Sequence, residues 1–305
     1  MTLPASTTTP RRNGLTDSFV PVITVIAVIM VIWYAATVFL NSKWQRDVFS
    51  RADNTDYSIM ELVAGTLSQE KPVLPSPHQV VQEVYKTTVQ KKITSKRSLI
   101  YHSGVTLSSA LLGFLLGTLL GIVLAVAIVY NRALNKSLMP WIITSQTIPI
   151  LAVAPMVIVV LNAVGIQGLL PKAFISMYLS FFPVVVGMVK GLTSPDVSYL
   201  DLMRTYNASA AQTFWKLRLP SSLPYLFTSM KIAIAISMVG AIVAELPTGA
   251  VAGLGARLLA GSYYGQTIQI WSALVMASIL AALLVVLVGM IGKWVNRRMG
   301  LAQNA

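Results

Sequence analysis

Charge is missing from long stretches of this chain, and those stretches are long enough to cross a bilayer. Phe19–Leu40, Gly104–Tyr130, Ser137–Leu170, Ala173–Val189 and Thr267–Gly292 contain no Asp, Glu, Lys or Arg. A sixth apolar run, Tyr225–Leu246, carries only Lys231 and Glu245. About 20 apolar residues are enough for a helix to cross a hydrocarbon core ~30 Å thick. No water reaches the backbone there, so continuous apolar runs satisfy their own N–H and C=O groups as helices. The reading is an all-α polytopic membrane protein with six transmembrane helices.

Composition supports that class. Of 305 residues, 55% are hydrophobic and 11% charged, against about 25% charged in an ordinary globular domain. The net charge of +13 does not point to nucleic acid, because the basic residues mostly flank apolar runs, as membrane topology demands. The absence of cysteine excludes disulfides and a thiolate nucleophile. The first apolar run is too long for a signal core and lacks a small-residue cleavage site after it, so no cleavable signal peptide is expected.

Basic residues orient the spans. Four expected inner segments hold eleven Lys or Arg, while two shorter outer connections hold only Lys172 and Arg257. The first outer segment, 41–103, holds nine, but segments of about 60 residues escape the rule. The expected division is therefore a cytoplasmic tail over 1–18, a first span over 19–40 and an extracytoplasmic segment over 41–103. A five-helix core over 104–292 and a cytoplasmic tail over 293–305 complete it. The expected location is a bacterial-type inner (plasma) membrane, with both termini on its cytoplasmic side.

One polar stretch stands out, Lys190 to Pro224. Pro195 and Asp196 read as a helix start. Tyr199, Leu202, Met203, Tyr206 and Ala210 recur at helical spacing, with Asp201, Arg204 and Asn207 between them. Asn207 reads as a break, since Asn tolerates the left-handed conformation. A second short helix, Ala208 to Leu217, carries Phe214 and Trp215 beside Lys216 and Arg218, and Pro220 and Pro224 close the unit. Such a helix-turn-helix is either a docking surface for another protein or a solvated loop. Phe214 and Trp215 are either docking anchors or internal props.

This stretch resembles the cytoplasmic coupling loop of the permease subunits of binding-protein-dependent ABC importers. That family's signature is Glu-Ala-Ala, a Gly four residues beyond the last Ala, and later an apolar residue, any residue, Leu and Pro. Here Asp201-Leu202-Met203 stands at the triplet and Asn207 at the Gly, while Leu217-Arg218-Leu219-Pro220 matches the closing part without departure. The resemblance continues elsewhere. Leu74-Pro75-Ser76-Pro77 resembles the entry to the core in the nitrate, sulfonate and taurine branch. His102, Thr106-Leu107 and Gly113-Phe114 partly match its next span, with Ser109 where the family often has Arg. Ala244-Glu245 and Gly253-Leu254-Gly255 match its late motifs. The resemblance implies a non-catalytic subunit that forms a solute pathway. Its partners would be ABC ATPase subunits at Asp201, Arg204, Asn207, Ala208, Phe214, Trp215, Leu217, Leu219 and Pro220, a second permease, same or related, and an extracytoplasmic solute-binding protein. It implies a substrate that is a small organic or inorganic anion or a pyrimidine-like compound.

The residues themselves add candidates and exclusions. Gly113, Gly117 and Gly121 recur every fourth position and form a face for close helix packing. Ser145, Gln146 and Thr147 beside Pro149 put polar groups at membrane depth, where they should face the bundle or a pathway. Glu245 either lines that pathway or pairs with a helix end or with Lys172. Neither a phosphate loop nor paired carboxylates are present, and His78 and His102 lack ligand-spaced partners. No catalytic residue, metal site or cofactor is expected. The alternative is a stand-alone secondary transporter or channel, which would need coupling-ion residues at the midplane.

Overall fold

The computed structural model describes residues 16–52, 56–247 and 250–300. Among them every regular element is a helix. The chain forms two compact units, 1–82 and 83–305.

In the first unit, α1 (Thr16–Arg51) runs eleven residues beyond the expected end of the span at Leu40. Charge ends the apolar run there, but Asn41–Arg51 contains no Pro or Gly, so nothing stops the helix. A buried amide is central to tying the rest of the unit to α1, alongside a bond from Trp33 Nε1 to the Pro75 carbonyl at 3.0 Å. Asn41, 0% exposed, donates to the Thr66 and Leu74 carbonyls at 3.2 and 2.9 Å and accepts from the Val73 and Leu74 N–H groups at 2.8 and 3.2 Å. These bonds hold the end of α2 (Ile59–Leu67) and the loop that follows it. α2 starts on a capping box made by Ser58 and Glu61. This part of the 41–103 segment thus packs on the extended end of α1. The Leu74-Pro75-Ser76-Pro77 stretch leads into α3 (Pro77–Thr88), with Pro77 at its first position. Gln79 accepts the Ser76 N–H at 3.1 Å.

The second unit is built around α7 (Leu169–Leu192), which packs between α4 (Leu99–Tyr130) and α10 (Leu219–Glu245). The α4 contact uses the glycine stripe. A Cβ at Gly113, Gly117 or Gly121 would lie 2.3 Å from Ser176 Cβ, 2.1 Å from Ser180 Oγ or 2.7 Å from Val184 Cβ, so only glycine permits this approach. Ser180 donates across the seam to the Gly113 carbonyl at 3.3 Å. Val184, Met188, Leu192, Leu226, Ala233 and Ile234 form the apolar centre between the helices.

The uncharged run 137–170 is not one helix. It divides into α5 (Arg132–Ser145) and α6 (Ile150–Ala163), bent by 101° at the break. Pro149 has no N–H to continue the ladder and becomes the N-cap of α6. Asn131 caps α5 by accepting from Ala133 and Leu134 at 2.9 and 3.3 Å. Among the described residues five helices are long and apolar enough to cross a membrane, and a sixth crossing is made if the bent pair counts as one. After α10 come α11 (Leu254–Tyr263) and α12 (Thr267–Arg298), which packs on both. The expected N-terminal tail lies outside the described residues up to 15, and the C-terminal tail is helical as far as Arg298.

Candidate functional site

The polar loop between α7 and α10 has the form of a compact, solvent-facing hook. α8 (Val197–Thr205) begins after Asp196, as Pro195-Asp196 suggests, and contains no buried residue. It ends in a two-bond left-handed closure: the Ala208 N–H meets the Met203 carbonyl at 2.9 Å and the Asn207 N–H meets the Arg204 carbonyl at 2.8 Å. This is the Schellman pattern, in which the residue after the cap takes a positive φ and is usually Gly. That residue is Asn207, at φ 49°, the single non-glycine with positive φ among the described residues. The physical reason for a Gly or Asn at this point of the loop is therefore the helix stop. Asp201 and Arg204, both exposed, pair with each other at 3.1 Å.

Ala208 and Ser209 reverse the chain. Ser209 and Gln212 form a capping box, with bonds of 2.8 and 3.2 Å, and start α9 (Ala210–Thr213). A wider turn follows, a π-helical segment over Phe214–Arg218, closed by the Leu219 N–H on the Phe214 carbonyl five residues back. The second helix therefore does not stop at Pro220 and Pro224, as the sequence suggests. The wide turn places Pro220 at the opening of α10, where a missing N–H is tolerated. The helix continues through Pro224 to Glu245.

The two aromatic rings meet edge-on at 5.2 Å but differ in burial. Phe214 packs against the apolar centre together with Leu219 and meets Tyr130, at the end of α4, edge-on at 6.0 Å. Trp215 points out and is 66% exposed. Leu217 is half-buried. Arg218, which the sequence reading left without a role, donates to the Leu192 carbonyl at 3.0 Å and lies over the Tyr130 ring at 5.9 Å.

Ser145, Gln146 and Thr147 occupy the break between α5 and α6. Ser145 donates to the Ile142 carbonyl at 2.7 Å, Gln146 to Ser145 Oγ at 3.3 Å and Thr147 to the Thr144 carbonyl at 2.8 Å. Tyr178 of α7 donates to the Ser145 carbonyl, so α7 braces the bend. The hydroxyls serve the local backbone; Ser145 and Gln146 are half-buried and Thr147 is exposed.

Glu245 lies elsewhere, at the far end of α10, and is 0% exposed. Its carboxyl oxygens accept from Thr106 Oγ1 at 3.0 Å and from the Gly255 N–H at 2.8 Å, and Lys172 Nζ stands 4.0 Å away. Thr106 also accepts the Leu254 N–H at 2.8 Å. His102 Nδ1 accepts the Gly253 N–H at 2.9 Å, so its Nε2 carries the hydrogen that faces the Lys96 carbonyl at 2.9 Å. Gly253 has φ +130°, and a Cβ there would fall 2.2 Å from Glu245 Cδ. The Gly-Leu-Gly stretch is thus folded onto a carboxyl group of α10 and pinned to α4. Of the two sequence readings of Glu245, the geometry contains the pairing with Lys172. Thr106 is the partner that sequence reasoning did not join to it, since a separation of 139 residues leaves no local signal; His102 instead holds Gly253. Among the described residues no cluster of His, Cys, Asp or Glu could hold a metal ion.

Residues 117–301 match the family described as binding-protein-dependent transport system inner membrane component. The chain is 33% identical over 225 residues to the riboflavin transport system permease protein of Chloroflexus aurantiacus, covering 74% of this chain and 80% of that one. It is 32% identical over 198 residues to the formylaminopyrimidine transport permease protein of Halalkalibacterium halodurans, covering 65% and 74%. A solved chain from the inward-facing methionine ABC transporter MetNI shares the fold at a TM-score of 0.50 and 19% identity, covering 73% of this chain and 97% of that one.

Proposed function

This chain belongs to the binding-protein-dependent transport system inner membrane component family, the permease subunits of ABC importers, and we propose that its α8–α9 hook is the seat of a separate ATPase subunit. The observation that carries the proposal is the hook itself. Helices α8 and α9 have no buried residue, yet the loop is fixed by a Schellman closure and a capping box. A loop so ordered, so exposed and tipped by Trp215 suits insertion into a groove on another protein. Asp201, Arg204, Asn207 and Ala208 form its stem and turn, and Leu217, Leu219 and Pro220 carry it into α10. ATP-driven closure of two such ATPases would displace the hooks and rock the spans between inward and outward access. Two permeases, same or related, would enclose the path, and an extracytoplasmic binding protein would deliver solute. Both termini and the hook would then be cytoplasmic, with 41–103 outside. Ser145, Gln146 and Thr147 at the bend are the proposed pathway residues. For Glu245, burial and pairing favour a brace at the outer end.

The proposed substrate is a pyrimidine-like or related heterocyclic compound, supported by relatives whose names state formylaminopyrimidine and riboflavin transport. A small anion is the second reading, supported by more distant relatives named for aliphatic sulfonates and nitrate.

The docking proposal is tested by crosslinking. Leu202→Cys, on the exposed face of α8, is introduced into this cysteine-free chain and treated in native membranes with a short bifunctional reagent. An adduct whose second component hydrolyses ATP is expected. Adducts containing only other membrane-embedded chains would count against the hook as the ATPase seat.

A further inference from the structure

The hook is joined to α10 through the backbone, but two side chains just beyond it also reach sideways. Arg218 is the last residue of the π-helical turn. Its guanidinium donates to the carbonyl of Leu192, the last residue of α7, at 3.0 Å. The same group covers the ring of Tyr130, the last residue of α4, at 5.9 Å. Four residues earlier Phe214 meets that ring edge-on at 6.0 Å. The inner ends of the two helices that pack along the glycine seam therefore converge on one side chain at the root of the hook.

We propose that Arg218 is a strut that carries displacement of the hook into α4 and α7, so that three helices, and not α10 alone, move with it. The inference rests on the hook being where the ATPase docks. In the family signature quoted above, Arg218 holds the position open to any residue, so the signature assigns it nothing. The chemistry suits the task. A guanidinium is planar and rigid and stays charged, and it can stack on an aromatic face while donating in its own plane. A terminal carbonyl lacks a helical partner and takes such a donor readily. Lysine offers the donor without the plane. Arg218 is a positioning residue in this account, since it touches neither solute nor ATPase.

A plain helix cap on α7 would also use this bond, and the test separates the two. Spin-label pairs are placed at Ser198→Cys with Val123→Cys, reading hook to α4, and at Ser198→Cys with Ile232→Cys, reading hook to α10. All three positions are exposed, and the chain has no cysteine of its own. The complex is purified from its host membranes through a tag on this chain, and distances are compared with and without ADP–vanadate. With Arg218 present, both distances should hold through the nucleotide-driven change. In Arg218→Ala the hook–α10 distance should still hold, while the hook–α4 distance shifts and broadens. Arg218→Lys should restore the hook–α4 distance only in part. An unchanged hook–α4 distance in Arg218→Ala, with vanadate trapped, overturns the strut. Should Arg218→Ala not accumulate, Tyr130→Leu decides, because it removes the ring and leaves the Leu192 bond. It should loosen the hook–α4 pair and spare a Ser198→Cys, Val186→Cys pair to α7, and loosening of neither overturns the proposal. A wild-type complex that retains no ATPase is a different failure, that of the docking reading beneath it.

Discussion

Asn207 shows how a single backbone angle ties the sequence to the loop's form. Its φ of 49° belongs to a region that Gly and Asn enter at little cost and β-branched residues hardly enter. Asn207→Gly should therefore leave assembly unchanged, while Asn207→Val should cost about 1–3 kcal/mol of local strain. The measurement is protease susceptibility of the hook in detergent, and equal cleavage of both variants would contradict this. At the other end of the molecule the same logic meets a buried carboxyl group. Gly253→Ala places a Cβ 2.2 Å from Glu245 Cδ at a φ of +130°, and the permease should fail to accumulate. Glu245→Ala takes the acceptor from the buried Gly255 N–H and the carboxyl group from beside Thr106 and Lys172. Removing one partner of a buried pair costs roughly 3–5 kcal/mol, so a large fall in detergent melting temperature is expected. A melting temperature equal to wild type would remove Glu245 from its role as a brace.

At the scale of elements, the hook's second half and the α5–α6 bend make separate predictions. Phe214 packs inside the chain, so Phe214→Ala should lower permease stability by up to the 3–5 kcal/mol of a buried ring, scaled down for its partial exposure. Trp215→Ala should leave stability near wild type, because 66% of that side chain is free. Thermal melts of the two variants check the contrast, and equal losses would contradict it. Cysteines at 145, 146 and 147 should react with a water-soluble thiol reagent faster than cysteines at lipid-facing positions of α1 such as Val25, if the bend lines an aqueous path. Equal rates would place the bend against lipid.

These elements also show where the sequence is readable. Charge-free runs mark the spans because the bilayer admits little else. Asn207 marks the turn because few residues accept its φ. The far limit of α1 is illegible, because charge ends an apolar run without ending a helix. The passage of α10 through Pro220 and Pro224 is hidden for a related reason: a proline stops a regular α-helix, and the wide turn before Pro220 is set by tertiary packing of Phe214 and Leu219. The Glu245 site needs Thr106 and Lys172, which only the fold brings together.

At the scale of the whole molecule, a long apolar face on α12, including Leu283, Val286, Met290 and Trp294, remains exposed. Lipid or a second permease would cover it, as expected of one subunit in a larger assembly. The account's central claim is that ATP-derived work enters this subunit at the hook. Its most direct test is the amount of ATPase that co-purifies with tagged permease carrying Trp215→Ala, at normal permease levels. Burying an aromatic ring is worth about 1.5–3 kcal/mol, and about 1.4 kcal/mol is one decade in affinity. Retained ATPase should therefore fall roughly tenfold or more in affinity, with solute uptake falling alongside. ATPase retention and uptake both at wild-type level would contradict the claim.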